Sequence, residues 1–332
     1  MRALRVREHG TPPVLETEVP VPRPGPGEAL IRVAAAALTH LDRSIASGGF
    51  AESPPLPYTP CADGAGWVVE SGDVPSGTLV WVRGGGVGVH RDGLAADYAA
   101  VPAEAMHTVP CLDGRPIVSP LLAGCFFSPT ASAYAAVRDV ATLRSGERVA
   151  VTGSAGVVGS LAVQFAQLAG AEVIAVTSRP ERASAIPDGV PVASTLEHPG
   201  LDALIDTVGG PDLATRLTWV RPGGRAVLVG YTAGPRLTLD LPAWLFTDVS
   251  LLPVNMLRRA AGLVAAADRL LRMYARNELT LPVEPQDLAS GTQAWRDLAA
   301  GTFAGRVALL PDPAIRDTSP ELRAPVAHSE EP

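Results

Sequence analysis

Lysine is absent from this 332-residue chain: all 27 basic residues are arginine, set against 34 acidic residues for a net charge of −7. That absence excludes Schiff-base and pyridoxal-phosphate lysines, the phosphate lysine of a Walker loop, and the tyrosine–lysine pair of short-chain reductases. Basic clusters are also missing, and the acidic total argues against nucleic acid as a partner. Cysteines are few and scattered, at Cys61, Cys111 and Cys125. With no C-x-x-C pair and an odd number, they suggest neither a disulfide framework nor a structural zinc site. The opening MRALRVREHG has no apolar signal region. The long uncharged stretches 116–137 and 151–171 are broken by prolines in the first and by glycines and glutamines in the second. Neither reads as a lipid-facing helix, so a soluble cytoplasmic protein is expected, with no membrane partner.

What is present divides the chain. Residues 1–110 alternate short β-type runs with prolines, which suit edges and turns, and candidate strands are 2–8, 28–36, 63–71, 78–83 and 96–101. An uncharged, alanine-rich helical stretch covers 119–140. A strand at Arg148–Thr152, a glycine turn, a helix at Val157–Ala169 and a strand at Glu172–Thr177 then form one βαβ unit. Apolar strands follow at 201–208 and 224–230, an amphipathic helix at 259–276 and a last strand at 307–310. The acidic, proline-containing remainder, 311–332, is expected to be disordered.

The βαβ turn carries the main chemical signal. Gly153-x-x-Gly156-x-x-Gly159 stands between strand and helix, where glycines permit the tight turn, the approach of a pyrophosphate and close helix–strand packing. The expected cradle is Gly153, Ser154, Ala155, Gly156, Val157 and Val158, with helix N-terminal amides facing the phosphates. No acid follows the second strand to hold a ribose 2′-hydroxyl. The tip reads Thr177-Ser178-Arg179 with Arg182 three residues on, and guanidinium forks suit a 2′-phosphate. NADPH is therefore the expected cofactor. Val208 and Gly209, then Gly230 and Tyr231, follow two further strands, where ligands sit in open α/β sheets.

The segments LPYTPCADGAG (56–66), VTGSAGVVG (151–159), IDTVGG (205–210) and RPGGRAVLVG (221–230) resemble the medium-chain dehydrogenase/reductase superfamily, in its zinc-independent quinone oxidoreductase and enoyl reductase branch. The likeness covers residues 1–310. It implies an α/β architecture: a Rossmann-like, doubly wound parallel sheet domain plus a mainly β, GroES-like catalytic domain built from both chain ends. The implied division is 1–122 catalytic, 123–255 NADPH-binding, 256–310 catalytic return segment and 311–332 tail. A homodimer joined through an edge strand of the cofactor domain is a further implication.

Residue by residue, the resemblance removes zinc. Thr39 and Ala62 stand where zinc-dependent members carry a metal cysteine and histidine, and the third ligand position falls near Ser128. Two positions that cannot ligate leave too few protein ligands, so no metal is expected. Activated double bonds need less polarisation than alcohols, and hydride transfer to an enone, enal or quinone is the implied reaction. Thr39 occupies the nicotinamide-facing position. His40 matches a pyrophosphate contact or serves as a structural hydrogen-bonder, and Asp42 matches an orienting aspartate. Ser44 replaces a suggested proton-donor tyrosine, and Ala46 an arginine. Water, His40, Tyr58 or Tyr231 is left as the proton source. Arg306 fits a cofactor contact or a surface position. The loop 83–92 is either a mobile rim of the site or a simple turn. Two other functions stay open: a tailoring reductase of a carbonyl or bulky natural-product intermediate, and a non-catalytic NADPH-binding protein.

Overall fold

The computed structural model describes residues 1–49, 53–197 and 200–318. In chain order, β1 (Glu28–Leu38) leads into the short helix α1 (His40–Ala46), followed by β2 (Asp63–Glu70), β3 (Leu79–Val82), β4 (Tyr98–Pro102) and β5 (Met106–Thr108). Helices α2 (Pro120–Cys125) and α3 (Phe127–Tyr134) then cross to β6 (Arg148–Thr152), α4 (Val157–Leu168) and β7 (Glu172–Val176). Next come β8 (Val192–Ala193), β9 (Leu201–Asp206), α5 (Leu213–Leu217), β10 (Val220–Leu228), α6 (Leu241–Leu245), β11 (Ser250–Pro253) and α7 (Met256–Ala275). The chain returns through β12 (Val283–Asp287) and α8 (Gly291–Ala300) to β13 (Arg306–Leu310).

Two sheets result. β8-β7-β6-β9-β10-β11 is wholly parallel, with the strand order reversing between β6 and β9. That is the doubly wound arrangement, and its ligand crevice lies outside the carboxyl ends of the strands at the reversal. β12-β13-β1-β2-β3-β5, with β4 also on β1, is the mainly β sheet. β13 pairs antiparallel with β1, Val307 opposite Leu38, so both ends of the chain build one sheet. The expected fold class is the observed one.

The sheets meet through apolar packing. Trp81 of β3 stacks between His107, at 4.1 Å, and Phe127 of α3, at 4.6 Å. The expected helix over 119–140 is interrupted at Phe126 and ends as a π-helical turn over Ala135–Val140. Its first part packs closely on β1: a Cβ on Gly124 would lie 2.8 Å from the Ala35 carbonyl oxygen. Helix α7, expected in the catalytic return segment, packs instead on the parallel-sheet side: Leu263, Ala267, Leu270 and Leu271 share a core with Leu161 and Phe165 of α4. The first element after α7 to join the mainly β sheet is β12, which pairs with β13. The expected disordered tail is also corrected in its first part. Ile315 is buried against Ala34, Ala35 and Cys125, and Arg2 Nη2 donates to the Pro311 carbonyl at 2.6 Å. Residues 319–332 lie outside the described residues. The loop 83–92 is packed rather than free: Val87 is buried, and a Cβ on Gly88 would meet Ala62 N at 2.7 Å. Among the described residues no helix is long and apolar enough to cross a membrane.

Candidate active site

The glycine turn is built by exclusion of side chains. Gly153 takes φ +62°, and a Cβ there would sit 2.4 Å from Thr207 Oγ1. On Gly159 it would sit 2.1 Å from the Gly153 carbonyl oxygen, so only glycine lets α4 start this close to β6. Gly156 is the exposed N-cap of α4 and brings no side chain of its own to satisfy the first-turn amides. With Val157 and Val158 half-buried beside it, that end presents backbone donors and a positive dipole end to an anion. Ser154 contributes differently from expectation: its hydroxyl donates to the Val176 carbonyl at 3.0 Å and is fully buried. Ala155 is buried too, so both shape the turn from beneath.

The neighbouring strand ends converge on the same place. Asp206, at the end of β9, accepts from Val208 N at 3.1 Å, Gly209 N at 2.6 Å and Arg216 Nε at 2.7 Å. Arg216 Nη2 closes the turn on the Gly209 carbonyl at 2.6 Å. Thr207 Oγ1 donates to the Thr152 carbonyl at 2.8 Å, tying this turn to the glycine turn. Gly209 and Gly230 approach each other's turns closely, a Cβ on Gly230 falling 2.6 Å from the Thr207 carbonyl oxygen. Tyr231 stands 67% exposed beside them. Gly153, Val208, Gly209, Gly230 and Tyr231 are thus gathered at the strand-order reversal. Asp206 and Arg216, which hold the arrangement, escaped the sequence reading. The signal was an acid directly before the T-V-G-G turn, with an arginine on the following helix.

At the tip of β7, Thr177 is buried and its hydroxyl accepts from Arg179 N at 3.0 Å, while Ser178 is exposed. Both guanidiniums cross to the other domain. Arg179 Nη1 donates to the Gly301 carbonyl at 2.8 Å. Arg182 Nη1 donates to the Phe303 carbonyl at 2.9 Å, and its Nη2 to those of Gly301 and Thr302. The donors expected to meet a 2′-phosphate thus already have carbonyl partners, although Arg179 itself is exposed.

The residues expected to be catalytic separate into two groups. Thr39 is the N-cap of α1: its hydroxyl accepts from the amides of Leu41 and Asp42 and donates to Asp42 Oδ2 at 2.6 Å. Asp42 returns the contact to Thr39 N at 2.8 Å and accepts from Cys61 N at 3.0 Å. This is a capping box, which commits the Thr39 hydroxyl to the helix start. Asp42 is buried, and burial pushes its pKa above the usual carboxylate value. Tyr58 is 1% exposed in the catalytic-domain core, with a buried hydroxyl that has no partner. Burial, then the nearby Asp42 and Cys61, push its pKa well up. It cannot reach a substrate in the cleft. His40 and Ser44 are solvent-accessible, and the Ser44 hydroxyl donates to the His40 carbonyl at 3.0 Å. Desolvation of the His40 ring, then the charges of Arg43 and Arg306, lower its pKa, so it is a neutral imidazole near pH 7.

A carboxylate not singled out for a role organises the rest. Asp63 accepts from Ser128 Oγ at 2.8 Å and Arg83 Nη1 at 3.1 Å on one oxygen, and from Arg306 Nη2 at 2.8 Å on the other. Its own element, β2, runs against β1 only because Gly64 and Gly66 leave room: a Cβ on Gly66 would lie 2.3 Å from the Arg32 carbonyl oxygen. Arg306 is oriented by this pair and keeps a buried Nε with no partner. The three positions that would hold a catalytic metal therefore carry a capping threonine (Thr39), a methyl group (Ala62) and a serine committed to Asp63 (Ser128). Among the described residues no group of three or more His, Cys, Asp or Glu side chains is placed to hold a metal ion. Zinc does not fit this donor set.

Residues 157–270 match the family model described as zinc-binding dehydrogenase, and residues 25–111 the alcohol dehydrogenase GroES-like domain. The chain is 27% identical to prostaglandin reductase-3 of Bos taurus over 301 residues, 83% of this chain and 77% of that protein. To the quinone oxidoreductase of Lama guanicoe it is 30% identical over 251 residues, 71% of this chain and 74% of that protein. A mycobacterial protein solved in complex with NADPH superimposes with a TM-score of 0.79 at 25% identity, covering 94% of this chain and 100% of its own.

Proposed function

Because the chain belongs to the medium-chain dehydrogenase/reductase superfamily, in its quinone oxidoreductase and enoyl reductase branch, we propose that it reduces an activated C=C bond or a quinone with NADPH and without zinc. The observation that carries this reading is the convergence of the glycine turn with the β9 and β10 tips, a cradle in which a Cβ added to Gly153, Gly159, Gly209 or Gly230 would strike backbone or a neighbouring side chain. The gathered residues Gly153, Gly156, Val157, Val158, Val208, Gly209, Gly230 and Tyr231 would hold the dinucleotide, with Ser178, Arg179 and Arg182 at its ribose end. When bound, NADPH supplies a hydride for the β-carbon of an enone or for a quinone. The chain's own share is binding and electrostatics. Arg306, held by Asp63, offers a fixed positive charge to the cofactor. With Thr39 committed to Asp42 and Tyr58 buried, the accessible proton sources left from the expected set are water, His40 and Tyr231. The likeness to prostaglandin and quinone reductases favours this reading over a carbonyl reductase.

The same reading includes a homodimer. β11 is an open edge of the parallel sheet, and α6 beside it leaves Leu245 71% and Phe246 89% exposed. An unpaired edge flanked by apolar side chains is a surface that a second copy would cover.

The experiment is NADPH oxidation by the purified protein with a panel of quinones, enones and aldehydes. Turnover of quinones or enones is expected. Turnover of aldehydes alone would favour the carbonyl reductase, and tight NADPH binding with no turnover would favour a non-catalytic role.

A further inference from the structure

The two arginines at the ribose end of the site are already occupied by the opposite domain. Gly301 caps α8 in the left-handed conformation, φ +66°. A Cβ there would lie 2.9 and 3.1 Å from the two Nη atoms of Arg179, so the guanidinium rests directly on a residue without a side chain. Among the described residues, Arg179 and Arg182 make their side-chain hydrogen bonds to the Gly301, Thr302 and Phe303 carbonyls and have no carboxylate partner. The carbonyls at the end of α8 carry the negative end of a helix dipole, which explains why two cations settle there.

Helix α8 itself is anchored in the catalytic-domain core by Ala294, Trp295 and Leu298. The turn continues through Ala304 and Gly305, whose amides donate to Glu284 Oε1 at 2.7 and 2.5 Å, straight into Arg306. The carbonyl contacts therefore join the adenosine end of the cofactor site to the catalytic-domain segment that carries Arg306.

We propose that Gly301 is a specificity-determining residue: its turn holds Arg179 and Arg182 in a carbonyl clamp that a ribose 2′-phosphate must displace. The inference rests on the NADPH reading and deepens it. A phosphate is bound best by two parallel donors of one guanidinium, and the Nη1–Nη2 edge of Arg182 is spent on carbonyls. A dianionic phosphate placed beside those carbonyl oxygens would also be repelled by them. Taking the arginines thus frees the 301–303 turn. NADH has no 2′-phosphate and leaves the clamp closed. The clamp lowers apparent NADPH affinity by the fraction of molecules in which the arginines are free.

The test uses Gly301→Ala, which alters neither arginine and no residue of the glycine cradle. Its methyl group displaces Arg179 and strains the left-handed turn, loosening the 301–303 carbonyls that hold Arg182. We expect NADPH to bind about threefold to tenfold tighter, the scale of one charged hydrogen bond, with NADH affinity unchanged. In the unsubstituted protein, amide hydrogen exchange over 301–306 should rise on adding NADPH and stay constant on adding NADH. An unchanged NADPH-to-NADH affinity ratio in the variant, or unchanged exchange over 301–306 while NADPH protects 153–158, overturns the clamp. If the variant does not fold, the exchange measurement decides alone. Equal binding of both cofactors by the unsubstituted protein would instead overturn the NADPH reading itself.

Discussion

Asp63 accepts a 2.8 Å hydrogen bond from Arg306, 243 residues further along the chain. The pair joins β2 to β13, and with Arg83 and Ser128 it fills the ground that a catalytic metal would need. Asp63→Ala would leave two guanidiniums facing a cavity without their counter-charge. We expect a loss of about 2–3 kcal/mol in urea unfolding, less than a fully dry ion pair because both arginines keep some access to water. The weakened orientation of Arg306 should appear as a raised Km for the dinucleotide.

Gly159→Ala places a methyl group 2.1 Å from the Gly153 carbonyl oxygen, and neither backbone can yield without opening the turn. Overpacking of this kind costs about 1–3 kcal/mol. Dinucleotide affinity, measured by titration of intrinsic fluorescence, should fall at least about tenfold if the phosphates rest on this turn.

Tyr58→Phe removes a buried hydroxyl that has no partner. Such a group costs about 1–3 kcal/mol when unsatisfied, so the variant should be as stable or about 1 kcal/mol more stable in urea. Turnover should be unaffected. A large fall in kcat with unchanged folding would restore Tyr58 as proton donor.

His107 stacks on Trp81 at 4.1 Å, and burial lowers its pKa below 6.5. The unfolded chain therefore takes up this proton first as the pH falls. Stability from this group is fully present above pH 6.5 and is lost as the pH drops from there through the lower folded value. His107→Phe keeps an aromatic ring against Trp81 and should flatten the acid side of the stability profile between about pH 7 and 5. An unaltered slope would assign that acid sensitivity elsewhere.

Leu245→Asp puts a charge on the most regular part of the exposed apolar surface beside β11. Light scattering should report a dimer for the unsubstituted protein and a monomer for the variant, with the far-UV spectrum unchanged.

Local patterns carried a large share of this protein. The glycine turn and its βαβ unit are written within some thirty consecutive residues, because steric exclusion at Gly153 and Gly159 involves near neighbours in the chain. The absence of lysine and the residues Thr39 and Ala62 likewise removed several chemistries without any coordinates. The capping box was equally local, Thr39 standing three residues before Asp42, a spacing that spells a helix start.

Partners distant in sequence were decided only by the tertiary structure. Nothing in Thr177–Arg182 announces that its arginines will meet carbonyls about 120 residues away, and nothing near Asp63 announces Arg306. The same limit applies to burial. Tyr58 and Tyr231 are equivalent as letters, yet one is sealed in a core and the other is 67% exposed at a strand tip. An amphipathic pattern states that α7 must bury a stripe but not against which sheet, since hydrophobic burial has no direction of its own. The sequence by itself determined the dinucleotide turn and the lack of zinc ligands. Packing between distant segments decided which hydroxyls and guanidiniums are still available to react or bind.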